Sequence, residues 1–489
     1  MITWGVSAGA HNAALSVFLD EKLVFASSSE RFSGIKNDPD LCHELVDYVK
    51  QKYGHPNYVC WYEQPWKKAL RKLTANKSWE LENPKLYMNR FGIIAPIKTC
   101  DHHFSHAAGG YYTSPFNEAA VVVLDAIGEF KTYSLWSAKG KNIRYINGLD
   151  YPHSAGLFYT AMTQRVGLKP IEEEYILMGM AAYGDANRFS KDLLEEFVEF
   201  PNDDYQNPFR LKQNLHRGCN WWRPELNTQQ DLYDIAAAAQ SVYEMMFERV
   251  LQLARQQTSS RNLVLMGGCA LNCAANPLAY KYFDNVWIMP APGDDGSAIG
   301  AVLAQKKHHI YWPGPYLGFD MGYKSTNEEI VEYLLEHKVC GVARGAAEFG
   351  PRALGNRSLF GDPRDPKIRV LINNIKQREQ FRPFAPMVLE EFAKTHFKMP
   401  SKTALYMQYA VVCKTPKLYP AIIHHDQTSR VQTIPNDGSP IRKLLELWYE
   451  RSGCPMLLNT SLNIKGKPMV NNSADSRNFE SLYGVKVFN

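Results

Sequence analysis

Two stretches of this sequence share one outline, and a chain that carries the same unit twice is constrained towards a duplicated fold. Residues 2 to 7, 14 to 19 and 23 to 28 are short apolar runs, and Asp20-Glu21-Lys22 makes a tight turn between the last two. Residues 120 to 125, 132 to 138 and 142 to 146 repeat the pattern, with Lys139-Gly140-Lys141 at the turn. In each copy the first run leads into a polar segment followed by small residues, Ser7-Ala8-Gly9 in one and Asp125-Ala126-Ile127-Gly128 in the other. A strand followed by a hairpin, written twice, predicts an α/β domain in two halves with a cleft between them. Such folds set nucleotide phosphates against the turns at strand ends.

Just before the second copy stands Asp101-His102-His103-Phe104-Ser105-His106. His102 and His106 are four apart, so on a helix both imidazoles share a face and can reach one metal ion. Asp125 closes an apolar strand and is a natural third ligand. Two histidines with carboxylates suit iron, manganese or zinc. An ordinary pair of helical histidines is the competing reading of this segment alone. Further on, helical periodicity over 235 to 256 gives way to a strand at 263 to 266 and then to Gly267-Gly268-Cys269-Ala270-Leu271-Asn272. Two glycines at a strand-to-helix turn let backbone amides approach a ligand closely. The turn Gly293-Asp294-Asp295-Gly296 opens a small-residue helix and offers two more carboxylates.

Trp312-Pro313-Gly314-Pro315 marks a linker, giving domains at 1–315 and 316–489, with a polar, loop-rich insertion at about 185–232. The second domain is dense in arginines held in Gly/Pro-rich turns, notably Gly350-Pro351-Arg352-Ala353-Leu354-Gly355-Asn356-Arg357 and Arg382-Pro383-Phe384. Arginine in a constrained loop is what bidentate phosphate recognition needs. The insertion carries His216-Arg217-Gly218-Cys219-Asn220-Trp221-Trp222-Arg223, read as a surface loop with a tryptophan anchor or as a loop that recognises a substrate. The net charge of +5 is compatible with phosphate-bearing substrates. No apolar run is long enough to cross a membrane. Nine scattered cysteines without a CxxC pair, and a first segment lacking the features of a signal peptide, lead to the expectation of a cytoplasmic protein with reduced thiols.

Taken in order, these segments resemble the O-carbamoyltransferases of antibiotic and nodulation-factor biosynthesis, including the tobramycin and cephamycin enzymes. The resemblance rests on Gly5-Val6-Ser7-Ala8-Gly9-Ala10-His11-Asn12, Glu30-Arg31-Phe32-Ser33 with Lys36, Pro152-His153-Ser154-Ala155-Gly156, and Glu174-Tyr175 through Met178-Gly179-Met180. It also rests on the double glycine, the Gly-Asp-Asp-Gly turn, the two arginine segments, Ser429-Arg430-Val431-Gln432-Thr433, and Leu458-Asn459-Thr460-Ser461-Leu462-Asn463. It implies an N-terminal duplicated actin-like (ASKHA) domain of the kind that carries tRNA threonylcarbamoylation chemistry, and a C-terminal α/β YrdC-like domain that forms carbamoyl-adenylate. The implied activity makes carbamoyl-adenylate from carbamoyl phosphate and ATP, and transfers the carbamoyl group to a hydroxyl.

By match, the resemblance implies His102, His106, Asp125 and Asp294 as metal ligands, iron(II) as the family's metal, and Mg-ATP as co-substrate. It implies Arg352, Arg357, Lys376, Arg382 and Arg430 as phosphate-neutralising groups, and Asn459 and Ser461 as polar nucleotide contacts. Gly267, Gly268 and Asn272 would cradle the nucleotide in the first domain. His11 would serve as general base and Lys36 would stabilise the leaving group. The family turn usually reads His-Asp, and Asn12 here removes a carboxylate that would orient His11. The expected acceptor is hydroxyl-bearing: an aminoglycoside, a sugar, a polyketide, or a hydroxymethylated pyrimidine nucleotide or DNA base. Arg217, Trp221, Trp222 and Arg223 favour the nucleotide or DNA class. Oligomeric state stays open, a homodimer included. Rival readings are a tRNA-threonylcarbamoylation enzyme and an actin-like-fold kinase.

Overall fold

The structure is a computed structural model, and it describes residues 1–9, 11–74, 81–201 and 207–489. Ala10, which precedes His11 in the sequence, and residues 202–206 of the insertion lie outside the described residues. The protein is mixed α/β. It divides into one compact unit of Met1–Ser29 with Asn37–Pro313 and another of Glu30–Lys36 with Gly314–Asn489. The short excursion Glu30–Lys36 into the second unit is a feature that a single cut between 315 and 316 does not include.

The first unit holds two five-stranded sheets. One contains β1 (Ile2–Ser7), β2 (Ala14–Leu19), β3 (Lys22–Ser28), β4 (Tyr58–Trp61) and β5 (Ile97–Thr99), in the order β3-β2-β1-β4-β5. The other contains β6 (Glu118–Gly128), β7 (Lys131–Lys139), β8 (Asn142–Asp150), β9 (Asn262–Met266) and β10 (Asn285–Trp287), in the order β8-β7-β6-β9-β10. Strand order and direction are the same in both: the first three strands run antiparallel, and the last two join in parallel. β6 lies in the middle of its sheet, and Ala119 to Leu124 are all buried, which is why they read as one apolar run.

Each half lends a helix to the other. The helix His102–Thr113 follows β5 but packs on β6 and β9, and the helix Ser297–Lys306 follows β10 but packs on β1 and β4. The two helices meet backbone to backbone. A Cβ placed on Gly300 would lie 1.9 Å from the carbonyl oxygen of Ser105, so only glycine fits that crossing. Ala107, Ala108, Gly109 and Gly110 complete a stretch buried on every side, as expected of a helix held between layers.

The long helix Gln229–Gln257 begins earlier than its apolar periodicity does, because Thr228 and Asp231 form a reciprocal capping box over a polar first turn. The insertion is more ordered than its polar composition suggests. It contains the helix Ser190–Phe197, and Trp222 is 1 % exposed, packed against Phe189 and Phe197. Arg165 donates to the carbonyls of Trp222, Arg223 and Leu226, and Arg223 pairs with Asp192 at 2.6 Å. Of the two readings of this segment, Trp222 fits the tryptophan anchor: it belongs to the core, Arg223 is ion-paired, and Trp221 is the exposed ring, so the four residues do not form one face for stacking a base.

The second unit is built on a seven-stranded sheet ordered Tyr409–Val412, Thr428–Ile434, Ala385–Leu389, Met456–Ser461, Arg357–Gly361, Val339–Ala343, Val487–Phe488. The Glu30–Lys36 segment is fastened to this unit by Arg31 Nη2, which donates to the carbonyl of Gly350 at 3.0 Å. All nine cysteines are free thiols. Among the described residues no helix is long and apolar enough to cross a membrane.

Candidate functional site

His102 opens its helix, and two features seat it there. Asp101 before it is extended, and the carboxylate of Glu129 reaches across to accept the His102 backbone N–H at 3.3 Å and that of Gln64 at 2.6 Å. Helical spacing then stacks His106 one turn on. Asp125 comes from the end of the buried part of β6, where its Oδ1 accepts the Gly268 N–H at 3.1 Å. Asp294 comes from the turn before the helix Ser297–Lys306. The crossing of the two helices thus brings His102 and His106, on one helix, to the turn that opens the other and carries Asp294.

The donor atoms of His102, His106, Asp125 and Asp294 all lie within 4.8 Å of one another. The two Nε2 atoms are 3.2 Å apart. His102 Nε2 is 3.4 Å from Asp125 Oδ2 and 3.3 Å from Asp294 Oδ1, and His106 Nε2 is 3.3 Å from that same oxygen. Asp295, the alternative carboxylate, instead turns back to accept the N–H of Gly296 at 3.0 Å.

Burial disfavours charge on these groups. Even so, the charge of Asp294 and hydrogen bonds that His102 donates to both aspartates hold His102 well above its ordinary value, and the histidines hold Asp294 well below the usual carboxylate range. The pocket therefore calls for positive charge among its donor atoms. A divalent cation meets that demand directly, and one cation also resolves two imidazole nitrogens aimed at each other. His₂Asp₂ is a donor set for iron, manganese or zinc.

Gly128 forms a wall of this site: a Cβ there would stand 2.3 Å from His102 Cδ2. Tyr62 packs its ring beside His102, with centroids 5.2 Å apart. Behind the imidazole, Glu63 Oε2 faces His102 Nδ1 at 3.8 Å, and Lys68 Nζ holds Glu63 Oε1 at 2.8 Å. Tyr62, Glu63, Lys68 and Glu129 carry no motif that marks them as site residues in the sequence, and Gly128 appears there only as the last residue of the repeated Asp125-Ala126-Ile127-Gly128 segment. Lys68 arrives on a helix, Pro65–Thr74, that presents Trp66, Leu70 and Leu73 to solvent while Lys68 and Ala69 are buried. An amphipathic pattern predicts the opposite orientation.

His11 sits in the turn after β1, its Nε2 buried and without a hydrogen bond among the described residues. Gly267 and Gly268 turn the chain after β9, and the Gly268 amide is engaged by Asp125. Asn272 exchanges hydrogen bonds with Gln240, which also bonds Tyr159 and Glu244. Lys36 is paired with both oxygens of Glu30, at 3.0 and 2.7 Å, within the second unit.

In the second unit, strand register brings a polar sheet face together. Ser358 lies opposite Ser461, and Asn459 Nδ2 donates to Gln432 Oε1 at 2.9 Å. Lys376 is buried against this face. Its Nζ donates to the carbonyl and hydroxyl of Ser461 and to both oxygens of Asn463. Burial pushes the Lys376 ammonium well below its ordinary value. Arg430 shares the strand of Gln432, two residues away, and Arg382 stands beside Glu379 at 3.5 Å. Arg352 is half-buried in the turn before the strand Arg357–Gly361.

Arg357 departs from its expected role. It alternates to the side opposite Ser358, and its two terminal nitrogens donate to the carbonyls of Phe319, Arg344, Gly345, Asn356 and Asn471. Fully buried and committed to five carbonyls, it fastens four segments of chain and is not brought to the polar face.

Sequence comparison adds to this geometry. The family described as carbamoyltransferase N-terminus matches residues 62–303, and carbamoyltransferase C-terminus matches residues 331–487. An uncharacterised protein of Synechocystis sp. is 32 % identical over 95 % of this chain and 92 % of its own length. Nodulation protein NolNO of Sinorhizobium fredii is 29 % identical over 95 % of this chain and 76 % of its own. The 3'-hydroxymethylcephem-O-carbamoyltransferase of Amycolatopsis lactamdurans is 25 % identical over 95 % of this chain and 94 % of its own.

Proposed function

The chain belongs to the carbamoyltransferase family and is an enzyme of that type, and from this premise we propose that it is an ATP-dependent O-carbamoyltransferase acting on a hydroxyl-bearing acceptor. The observation that carries the reading is the cluster of buried His102, His106 and Asp125 with part-exposed Asp294. The hydroxyl acceptor is supported by the relative named for carbamoylating a hydroxymethylcephem. On this reading the first unit is the actin-like transfer domain, and the second is the YrdC-like domain that forms carbamoyl-adenylate.

Water first releases phosphate from carbamoyl phosphate, leaving carbamate. A carbamate oxygen attacks the α-phosphorus of ATP, held as its magnesium complex, and pyrophosphate departs. The acceptor hydroxyl then attacks the carbamoyl carbon and AMP leaves. Lys376, Arg352, Arg382 and Arg430 would offset phosphate charge in the adenylation step, with Asn459 and Ser461 contacting the nucleotide. In the transfer step His11 would take the acceptor proton, and Gly267, Gly268 and Asn272 would lie against the nucleotide; Lys36, which by family expectation stabilises the leaving group, is paired with Glu30 in the second unit. His102, His106, Asp125 and Asp294 would hold a divalent metal, iron(II) on the family expectation, which when bound supplies positive charge for the adenylate phosphate or carbonyl. The acceptor class is left at a hydroxyl compound, because burial of Trp222 weakens the case for a nucleotide or DNA base.

The test is to incubate the purified chain with carbamoyl phosphate, ATP and a divalent metal, without acceptor. The expected result is pyrophosphate that depends on carbamoyl phosphate, with carbamoyl-adenylate detected by mass spectrometry. ADP in place of pyrophosphate would refute the adenylation reading and favour a kinase.

A further inference from the structure

At the edge of the His102 ring opposite its metal-facing nitrogen lies a group of buried charges that none of the steps above uses. Glu63 and Lys68 are 2 % and 7 % exposed. Lys68 Nζ contacts Glu63 Oε1 at 2.8 Å, Glu82 Oε1 at 2.9 Å and the carbonyl oxygen of Gly9 at 2.9 Å. The other oxygen of Glu63 stands 3.8 Å from His102 Nδ1, a nitrogen that makes no hydrogen bond among the described residues.

A buried ion pair loses hydration, and its mutual attraction repays that loss only where the geometry is good. The chain has gone further to make this one: it turns a helix so that Trp66 and Leu70 face water and Lys68 faces inward. The imidazole explains what the pair is for. A neutral histidine that binds metal through Nε2 must carry its proton on Nδ1, and that N–H needs an acceptor to fix the tautomer and ring angle. Glu63 is the carboxylate at that nitrogen. Left alone it would be a buried charge free to swing, and Lys68, held by Glu82 and Gly9, pins its far oxygen.

We propose that Glu63, clamped by Lys68, is the outer acceptor that orients His102 for metal binding, so that both are positioning residues of this site. The proposal rests on the reading of His102, His106, Asp125 and Asp294 as metal ligands. It concerns affinity and ligand geometry, and neither residue touches the reacting atoms.

The test uses the full chain stripped with chelator and titrated with Co²⁺ alone, followed by calorimetry and by the visible absorption of bound Co²⁺. Glu63→Gln keeps the shape and removes the charge. It is expected to weaken Co²⁺ binding about 10- to 100-fold and to shift the visible bands, an effect characteristic of outer-shell partners of metal-binding histidines. Lys68→Met is expected to move both readouts in the same direction, and Lys68→Arg to restore part of the loss. Wild-type affinity and spectrum in Glu63→Gln would overturn the proposal. Loss of far-ultraviolet circular dichroism in metal-free Glu63→Gln would make the pair a folding element and overturn it equally, unless Lys68→Arg folds and shows the weakened, shifted signal. His106→Ala separates the two levels. If wild-type binding survives that change, the ligand assignment itself has failed, whatever Glu63 does.

Discussion

Gly128→Ala is a one-methyl test of how tightly the candidate metal site is built. The new Cβ would lie 2.3 Å from His102 Cδ2, 2.7 Å from Cγ and 2.8 Å from Nε2. Carbon atoms rest at about 3.5–4.0 Å, so roughly 1.2 Å or more must be relieved. Two movements can relieve it. The imidazole can shift away from Gly128, within surroundings that already include the Tyr62 ring. Or β6 can withdraw at its irregular stretch between Leu124 and Gly128, which contains Asp125. Either way a ligand is displaced by far more than the ~0.2 Å that metal coordination tolerates. Overpacking alone costs about 1–3 kcal/mol and lowers the unfolding midpoint with or without metal. The diagnostic quantity is the metal-dependent increment. At free metal of 100 times Kd, binding stabilises wild type by about 2.7 kcal/mol; a hundredfold weaker site would leave about 0.4 kcal/mol. Urea unfolding with and without Mn²⁺ measures both. A variant that keeps the wild-type increment would refute the argument that Gly128 shapes the site.

Three further outcomes are expected. Arg357→Met should destabilise the second unit by on the order of 5 kcal/mol, five carbonyl bonds at about 1 kcal/mol each, read as lost hydrogen-exchange protection in Val339–Ala343; Arg382→Ala should keep that protection and lose pyrophosphate formation. Trp222→Ala should cost about 3–5 kcal/mol, whereas Trp221→Ala should leave the unfolding midpoint nearly unchanged, and equal midpoints would refute the assignment of Trp222 to the core. Burial, opposed by the Gln240 hydrogen bond, raises the Glu244 carboxyl above its ordinary value of 4.5. The folded state therefore holds a proton that the unfolded state has released, and this contribution to stability is lost as pH rises through the folded value. Glu244→Gln should exceed wild type in urea midpoint at pH 8, with the advantage shrinking as pH falls towards 4.5; a pH-independent difference would refute the shift.

The parts of the site that follow chain-local rules were legible. His102 and His106 announce themselves by helical spacing, and Asp125 by its place at the end of an apolar run that becomes the middle strand of a sheet. The repeated hairpins foretell the repeated strand order. Asp294 is different: periodicity offers two adjacent aspartates, and only the family pattern chooses between them. The supporting layer was not legible because it is made by juxtaposition. Glu63 and Gly128 are 65 residues apart in sequence and meet only around the ring of His102. The helix bearing Lys68 looks from its apolar spacing as though Trp66 and Leu70 should be inside. Arg357 misleads because arginines in glycine-rich turns look alike until strand alternation shows which side each one faces. A tryptophan anchor was legible in the insertion, but two adjacent tryptophans in polar surroundings do not show which one is buried.

The reciprocal lending of helices between the two halves has a consequence for synthesis. His102 and His106 are made early, Asp125 soon after, and Asp294 almost two hundred residues after the histidines, so the complete donor set does not exist until most of the first unit has left the ribosome. A nascent chain shorter than that offers at most three donors, and the helix that would seat against β1 has not yet emerged. The four donor atoms can therefore come together only late in the emergence of the unit, after both sheets have formed and exchanged their helices.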